Sequence, residues 1–226
     1  MKKGIFICLV LTSLLACKKD PVDTNIIYGY EYFPVEVGHY AIYNVVDIFH
    51  DLEIEPAHDT NRFQIKELIA EVLVDGEGDT IQKLKRYVRP DESEDWVIQD
   101  VWTQKRTAST AEVVEENDRQ IKMIFAIAYN RTWDGNALNN EPELECYYEN
   151  IYQPHTVNST VYDSTVIIEK ENFISFIDFN RSYDVYARNV GKIKSVYKNL
   201  AIDNTDTTDI QKGVELYYNL IEFGTE

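Results

Sequence analysis

From residue 40 onward the chain is built of runs in which apolar and polar positions alternate, the period of a half-buried β-strand. Ile121, Met123, Phe125 and Ile127 form the cleanest run. Residues 62–74 and 80–89 are two more, joined by Asp75-Gly76-Glu77-Gly78-Asp79, whose paired glycines supply the positive φ of a tight turn. This stretch predicts a hairpin, with a bulge near Glu67-Leu68, where the apolar face changes parity. Residues 40–49, 145–152, 160–170, 192–200 and 214–223 also read as strands, and residues 111–115 are expected to pair with 120–128 across a turn at 116–119. Trp96, Ile98 and Trp102 are expected on one face of a further strand. The type of the apolar segment 173–179 is left open, and residues 130–144 are the longest irregular stretch.

One segment follows a different period. Tyr183, Tyr186, Ala187 and Val190 fall at i, i+3, i+4 and i+7, with Ser182 placed as an N-cap and Gly191 as a stop, which predicts a helix. The expected fold class is mainly β: an antiparallel curved sheet, half-barrel or sandwich-like, of roughly nine or ten strands with one short helix near residues 182–190. No repeat of ~20–50 residues suggests a solenoid or propeller.

The N-terminus has another texture. Lys2 and Lys3 precede an apolar run from Ile5 to Leu15, and Leu14-Leu15-Ala16-Cys17 closes it with a small residue before a cysteine. The run falls short of the ~20 apolar residues a membrane-spanning helix needs. It predicts a lipoprotein signal peptide over residues 1–16, lipidation at Cys17, a tether over 17–31 and a single β-rich domain over 32–226. Lys18, rather than an Asp, follows the lipidation site, which favours the outer membrane by analogy with Gram-negative lipoproteins.

Composition supports a folded core and narrows the partners. The chain is 44% hydrophobic with 16 tyrosines, which suits pleated sheets. Its net charge is −17, and removal of Lys2 and Lys3 with the signal leaves 20 basic against 39 acidic side chains. That balance disfavours nucleic acid. With Cys8 in the signal and Cys17 lipidated, Cys146 stands alone, so no intramolecular disulfide forms in the mature chain.

Tyr32-Phe33-Pro34 with Gly38-His39-Tyr40 and Tyr43, Thr132-Trp133-Asp134-Gly135-Asn136-Ala137-Leu138-Asn139, Tyr162-Asp163-Ser164-Thr165-Val166 and Tyr186-Ala187-Arg188-Asn189-Val190-Gly191-Lys192-Ile193 together make the chain resemble a group of uncharacterised Gram-negative envelope lipoproteins. The resemblance spans nearly the whole mature chain. It brings no activity, cofactor or catalytic residue with it.

Candidate chemistry is sparse. Gly-x-Ser-x-Gly, His-Glu-x-x-His and phosphate-binding glycine loops are absent from the sequence. His50 and His58 bracket an acidic loop interrupted by Pro56, without the spacing of a paired-histidine metal site. The acidic turns at 75–79 and 203–209 do not complete a calcium loop. The sharpest binding candidate is the loop carrying Trp133, Asp134, Asn136 and Asn139, which offers a stacking face and hydrogen-bonding groups suited to sugars. The alternative is a capped turn in which Trp133 packs on the sheet and the polar side chains bond to backbone. The expected function is a non-catalytic, membrane-anchored binding or structural module without metal or cofactor, its partner a glycan, a hydrophobic ligand or another envelope protein. The alternatives are a carrier holding a hydrophobic ligand in a half-barrel and, last, a hydrolase of polymers.

Overall fold

The computed structural model describes residues 27–226, so the expected signal peptide over residues 1–16 and the expected lipidation site Cys17 lie outside the described residues. Twelve strands follow a single 3₁₀ turn at Tyr30–Tyr32. They are β1 (His39–Asp51), β2 (His58–Val74), β3 (Thr80–Arg89), β4 (Val97–Arg106), β5 (Thr110–Glu115), β6 (Asp118–Ile124), β7 (Thr132–Asp134), β8 (Glu145–Val157), β9 (Thr160–Ile174), β10 (Asp178–Ala187), β11 (Gly191–Asp203) and β12 (Asp206–Thr225). Their order in one antiparallel sheet is β6-β5-β4-β3-β2-β1-β12-β11-β10-β9-β8-β7. Sequential neighbours pair except β6 and β7, and the first strand pairs with the last, so the sheet curls into a nearly closed barrel with a seam between β6 and β7.

Turn chemistry explains the tight connections. Glu116-Asn117, Asn158-Ser159 and Asn204-Thr205 each hold two successive residues at positive φ, the conformation of the primed hairpin turns that asparagine tolerates. The expected hairpin at 75–79 joins β2 to β3, and its bulge falls at Ala70, where the register shifts between Ile69 and Glu71.

The expected helix near 182–190 is not present. Residues up to Ala187 belong to β10, which is paired on both sides, and a turn through Arg188–Val190 leads into β11. Bulges explain the misleading spacing: the register shifts at Ser182/Tyr183 against β9 and at Val185/Tyr186 against β11. Both faces of the strand's end are covered, so Val185, Tyr186 and Ala187 are buried in succession and the period of two is lost. A bulge likewise separates Ile98 from Trp102. Arg86 pairs with Asp100 but Tyr87 with Ile98, which leaves Ile98 exposed while Trp102 packs on the core.

The segment ahead of β1 is built into the barrel earlier than residue 32. The Tyr30 and Phe33 carbonyls accept from Arg106 Nη1 at 2.9 and 2.7 Å, and the Pro34 carbonyl accepts from Gln104 at 2.8 Å, all on β4. On the other wall Tyr32 Oη meets Ser164 Oγ at 2.7 Å, and Asn189 N donates to Glu31 O at 2.7 Å. Residues 30–34 therefore plug one end of the barrel, with Tyr32 and Phe33 in the core cluster that includes Met123, Phe125, Tyr148 and Ile168.

The seam is closed chiefly by side chains. Ile121 N donates to Gly135 O at 2.9 Å, and Trp133 Nε1 returns a bond to Ile121 O at 3.0 Å. Further along, Tyr148 Oη donates to Ile124 O and accepts from Ile124 N, standing in for a missing rung of the ladder. Tyr148→Phe is expected to lower unfolding free energy in urea by about 1–3 kcal/mol while keeping the ring packing, because both Ile124 groups lose a partner.

Candidate functional site

Inside the barrel, in-facing positions that carry aliphatic residues elsewhere carry charges. In β2 the series is Ile65, Glu67, Ile69; in β3 it is Leu84, Arg86, Val88; in β9 it is Val166, Ile168, Lys170. Glu115, Lys122, Asp184 and Lys192 join them from β5, β6, β10 and β11. Ion pairs connect the group: Lys122 to Glu115 at 3.0 Å, Lys170 to Asp184 at 2.6 Å, and Glu67 to both Lys192 and Arg86 Nε at 3.6 Å. Asp100 adds a carboxylate 3.7 Å from Arg86 Nη1. Signs balance within this network, although the chain as a whole is strongly acidic.

Burial and pairing compete at each group. Burial alone would raise Asp184, but Lys170 and Lys192, with hydrogen bonds from Lys170 and from Ser195 Oγ at 2.6 Å, hold it down at about 2. Burial works against the charge on Lys192 too, yet Glu67, Tyr43 and Asp184 raise it well above the ordinary lysine value. Lys122 lies below that value, since burial, with Lys170 beside it, outweighs Glu115. Glu115 is lowered because Lys122 and Lys192 overcome its burial.

These groups surround a cavity of about 90 Å³, lined by Glu67, Glu115, Asp184, Lys122 and Lys192 together with Tyr43, Trp102, Tyr186 and, from the plug, Phe33 and Pro34. That is room for several waters. Its wall mixes charged, aromatic and aliphatic side chains. Arg86 stacks on Trp102, 4.4 Å from the ring centroid, and donates to Tyr218 Oη at 2.5 Å, while its buried Nε has no hydrogen-bond partner among the described residues.

The loop singled out from sequence lies at the seam. Trp133 packs against Tyr148 and bonds to β6 through Nε1. Asp134 Oδ1 accepts from the backbone of Asn136 at 2.8 Å and of Leu144 at 2.9 Å. Asn136 Nδ2 donates to Pro142 O at 2.7 Å, and Asn139 Nδ2 donates to Arg119 O at 3.0 Å. The structure brings all four residues together, with these polar groups bonded within the chain.

Other candidates have local partners as well. His50 is buried, with Nε2 3.1 Å from Glu215 and Nδ1 2.9 Å from Nδ1 of His58. In the turn at 75–79, Asp75 accepts from the Glu77 and Asp79 backbone, and the Lys105 ammonium bonds to Asp79. Ser195-Val196-Tyr197-Lys198 carries the Ser-x-x-Lys spacing of an acyl-transfer pattern. On a strand the two ends face opposite ways: Ser195 bonds to Asp184, and Lys198 pairs with Glu215 at 2.7 Å.

No known protein family and no curated protein matches the chain. Among solved structures, a protein from Bacteroides fragilis NCTC 9343, described as exported and as having a YmcC-like fold, is similar at 10% identity and a TM-score of 0.46, over 85% of this chain and 98% of that one. A protein from Parabacteroides distasonis ATCC 8503, described as a lipoprotein, is similar at 11% identity and a TM-score of 0.38, again over 85% and 98%. At this level neither fixes the fold or the function of this chain.

Two groups in the described residues give direct tests. Burial, reinforced by Asp184, pushes the Cys146 thiol up to about 11, and its Sγ lies against Gly135. It is expected to resist an aromatic disulfide reagent at neutral pH and to react at once in denaturant; equal rates would contradict the packing. Glu169 is fully buried, and burial raises it to about 7 despite Arg181 at 3.0 Å. Because its folded pKa is raised, its contribution is fullest below the ordinary value of 4.5 and is lost as pH climbs through 7. Between about pH 5 and about pH 8 the protein is expected to lose about 1–3 kcal/mol, a loss that Glu169→Gln flattens in denaturation curves.

Proposed function

We propose that the chain is a lipid-anchored protein of the outer membrane whose β-barrel is a non-catalytic binding or structural module. The observation that carries this is the Ala16-Cys17 junction after the apolar run, followed by a short tether that enters the barrel as its plug. Lipid on Cys17 is the membrane contact in this reading. The barrel's outer face supports attachment through a tether over insertion, since it bears ion pairs such as Lys83–Glu71 and Lys66–Glu226, the inverse of a lipid-facing barrel wall.

The charge state of the interior favours binding over catalysis. A hydrolase working with two carboxyl groups needs one that holds its proton near neutral pH, whereas in the cavity Glu115 and Asp184 are both lowered by neighbouring lysines, and Glu169, which is raised, does not line it. A carrier of hydrophobic molecules needs a continuous apolar wall, and five charged side chains interrupt the lining of this cavity. The Trp133 loop supports the reading through the seam it closes, which keeps the barrel's shape.

Cys17→Ser is expected to abolish incorporation of labelled palmitate and move the protein from the membrane to the soluble fraction. Unchanged labelling and fractionation would overturn the anchor.

A further inference from the structure

We infer that the rim of the barrel opposite the N-terminal plug is a docking surface for a partner protein, one whose contact face is apolar and ringed by lysine and arginine. This rests on the binding-module reading above, and it selects a protein as the partner.

The rim is centred on the turn between β9 and β10. Phe173, Ile174, Phe176 and Ile177 are 51–70% exposed there. Phe173 and Ile174 are successive in β9, so they point to opposite faces of the hairpin, and both faces are in solvent. On its outer side no strand pairs with β9 beyond Glu169 among the described residues, so the tip projects past β8.

Turn chemistry does not call for these residues. The tight turns at 116–117, 158–159 and 204–205 use asparagine. Phe176 and Ile177 instead sit at the centre of a turn held by Ser175 and by the neighbouring β11–β12 hairpin. Ser175 Oγ accepts from the Ile177 and Asp178 backbone at 3.2 and 2.9 Å, and the Phe176 and Ile177 carbonyls accept from Thr205 N at 3.1 Å and Ile202 N at 2.8 Å. The apolar tip is therefore braced before any partner arrives, which leaves little to order on binding. The β1–β2 loop adds exposed Leu52 and Ile54 and is joined to β12 by Leu52 N donating to Gln211 O at 3.1 Å. The four hairpin side chains alone leave on the order of 400 Å² of apolar surface in water, an extent at which a patch on a monomer is often functional.

Charge and position select the occupant. Glu53, Glu55, Asp178, Asp203, Asp206 and Asp209 are exposed around the apolar centre, and Lys212 among them is already paired with Asp51 at 2.9 Å. Such a collar repels an anionic bilayer surface, and it repels a second copy of a chain whose net charge is −17. It attracts a face on which lysine and arginine surround apolar side chains, the core-and-rim arrangement of protein interfaces. The plug lies beside Asn189 and the β10–β11 turn, and β10 spans ten residues, about 30 Å, between that end and the rim. A chain held through its N-terminal tether thus carries this rim at the end remote from the anchor.

Phe176, Val74 and Val101 would each be replaced in turn by a photoreactive phenylalanine in the full-length chain and irradiated in the cell of origin, the two valines being exposed positions away from the rim. One protein adduct is expected from position 176, its crosslinked peptide, identified by mass spectrometry, bearing apolar residues flanked by lysine or arginine. Ile177→Asp is expected to reduce that adduct about tenfold even though it adds an acid, and Glu53→Lys with Asp203→Lys to reduce it by a similar factor. Should Ile177→Asp fail to fold, the crosslinked peptide and the paired charge substitutions still decide. The inference is overturned if position 176 yields no adduct, a lipid adduct or a dimer of this chain, if the crosslinked surface is acidic, or if Ile177→Asp leaves the adduct unchanged. Protein adducts from Val74 or Val101 alone would sink this surface and leave the binding module standing, whereas no adduct from any of the three positions counts against both.

Discussion

Closing a twelve-stranded meander requires the free edges of β6 and β7 to meet, and here they meet through side chains. An open edge in so long a sheet would present unpaired N–H and C=O groups. The barrel answers with one backbone bond from Ile121 to Gly135 and with the side chains of Trp133, Asn139 and Tyr148, each reaching a carbonyl of β6. The position of every other strand follows from this closure, because an unrolled sheet would expose the core cluster that the plug residues Tyr32 and Phe33 help to fill.

The closed wall makes the ionic interior affordable. A buried ion pair gains little over a well-packed apolar pair, and leaving one charge without its partner is expensive. Eight strands contribute one charge each to the central network, so its order depends on the register of the whole sheet. The result is an interior that retains a polar cavity where an all-aliphatic filling would have closed it. With four bases held inside, the outer surface keeps roughly two acids for every base.

Much of the architecture was legible in the sequence. The glycine turn at 75–79 gave its hairpin directly, and the alternation from Ile121 gave β6 only as far as Ile124, with Phe125 and Ile127 buried beyond the strand's end. The predicted helix failed because i, i+3, i+4, i+7 spacing also arises when a strand covered on both faces carries two bulges, as at Ser182 and Val185. Bulges also hid the charged cavity. Each one reverses which face points inward, so Glu67, Lys122 and Asp184 could not be assigned to a common interior by counting. The signal was nonetheless present, as single charges set between aliphatics at alternate positions. For Trp133 and Asn139, the sequence offered both a stacking surface and a bonded turn, and what differs between them is contact with β6, which only the folded sheet specifies.

The pairing of β1 with β12 sets the order in which the barrel can form. Strands β1 to β6 and β7 to β12 are two meanders whose internal pairs are close in sequence, whereas Tyr40 and Glu222, joined across β1 and β12, are separated by 182 positions. Such a contact is reached late, since loop-closure entropy must be met before it returns anything. The first strand of the domain therefore keeps one edge open until the last has been made, and the two half-barrels then join along two lines at once, β1 with β12 and β6 with β7. The final twenty-residue strand is thus the element that joins the two halves, through β1 on one side and β11 on the other.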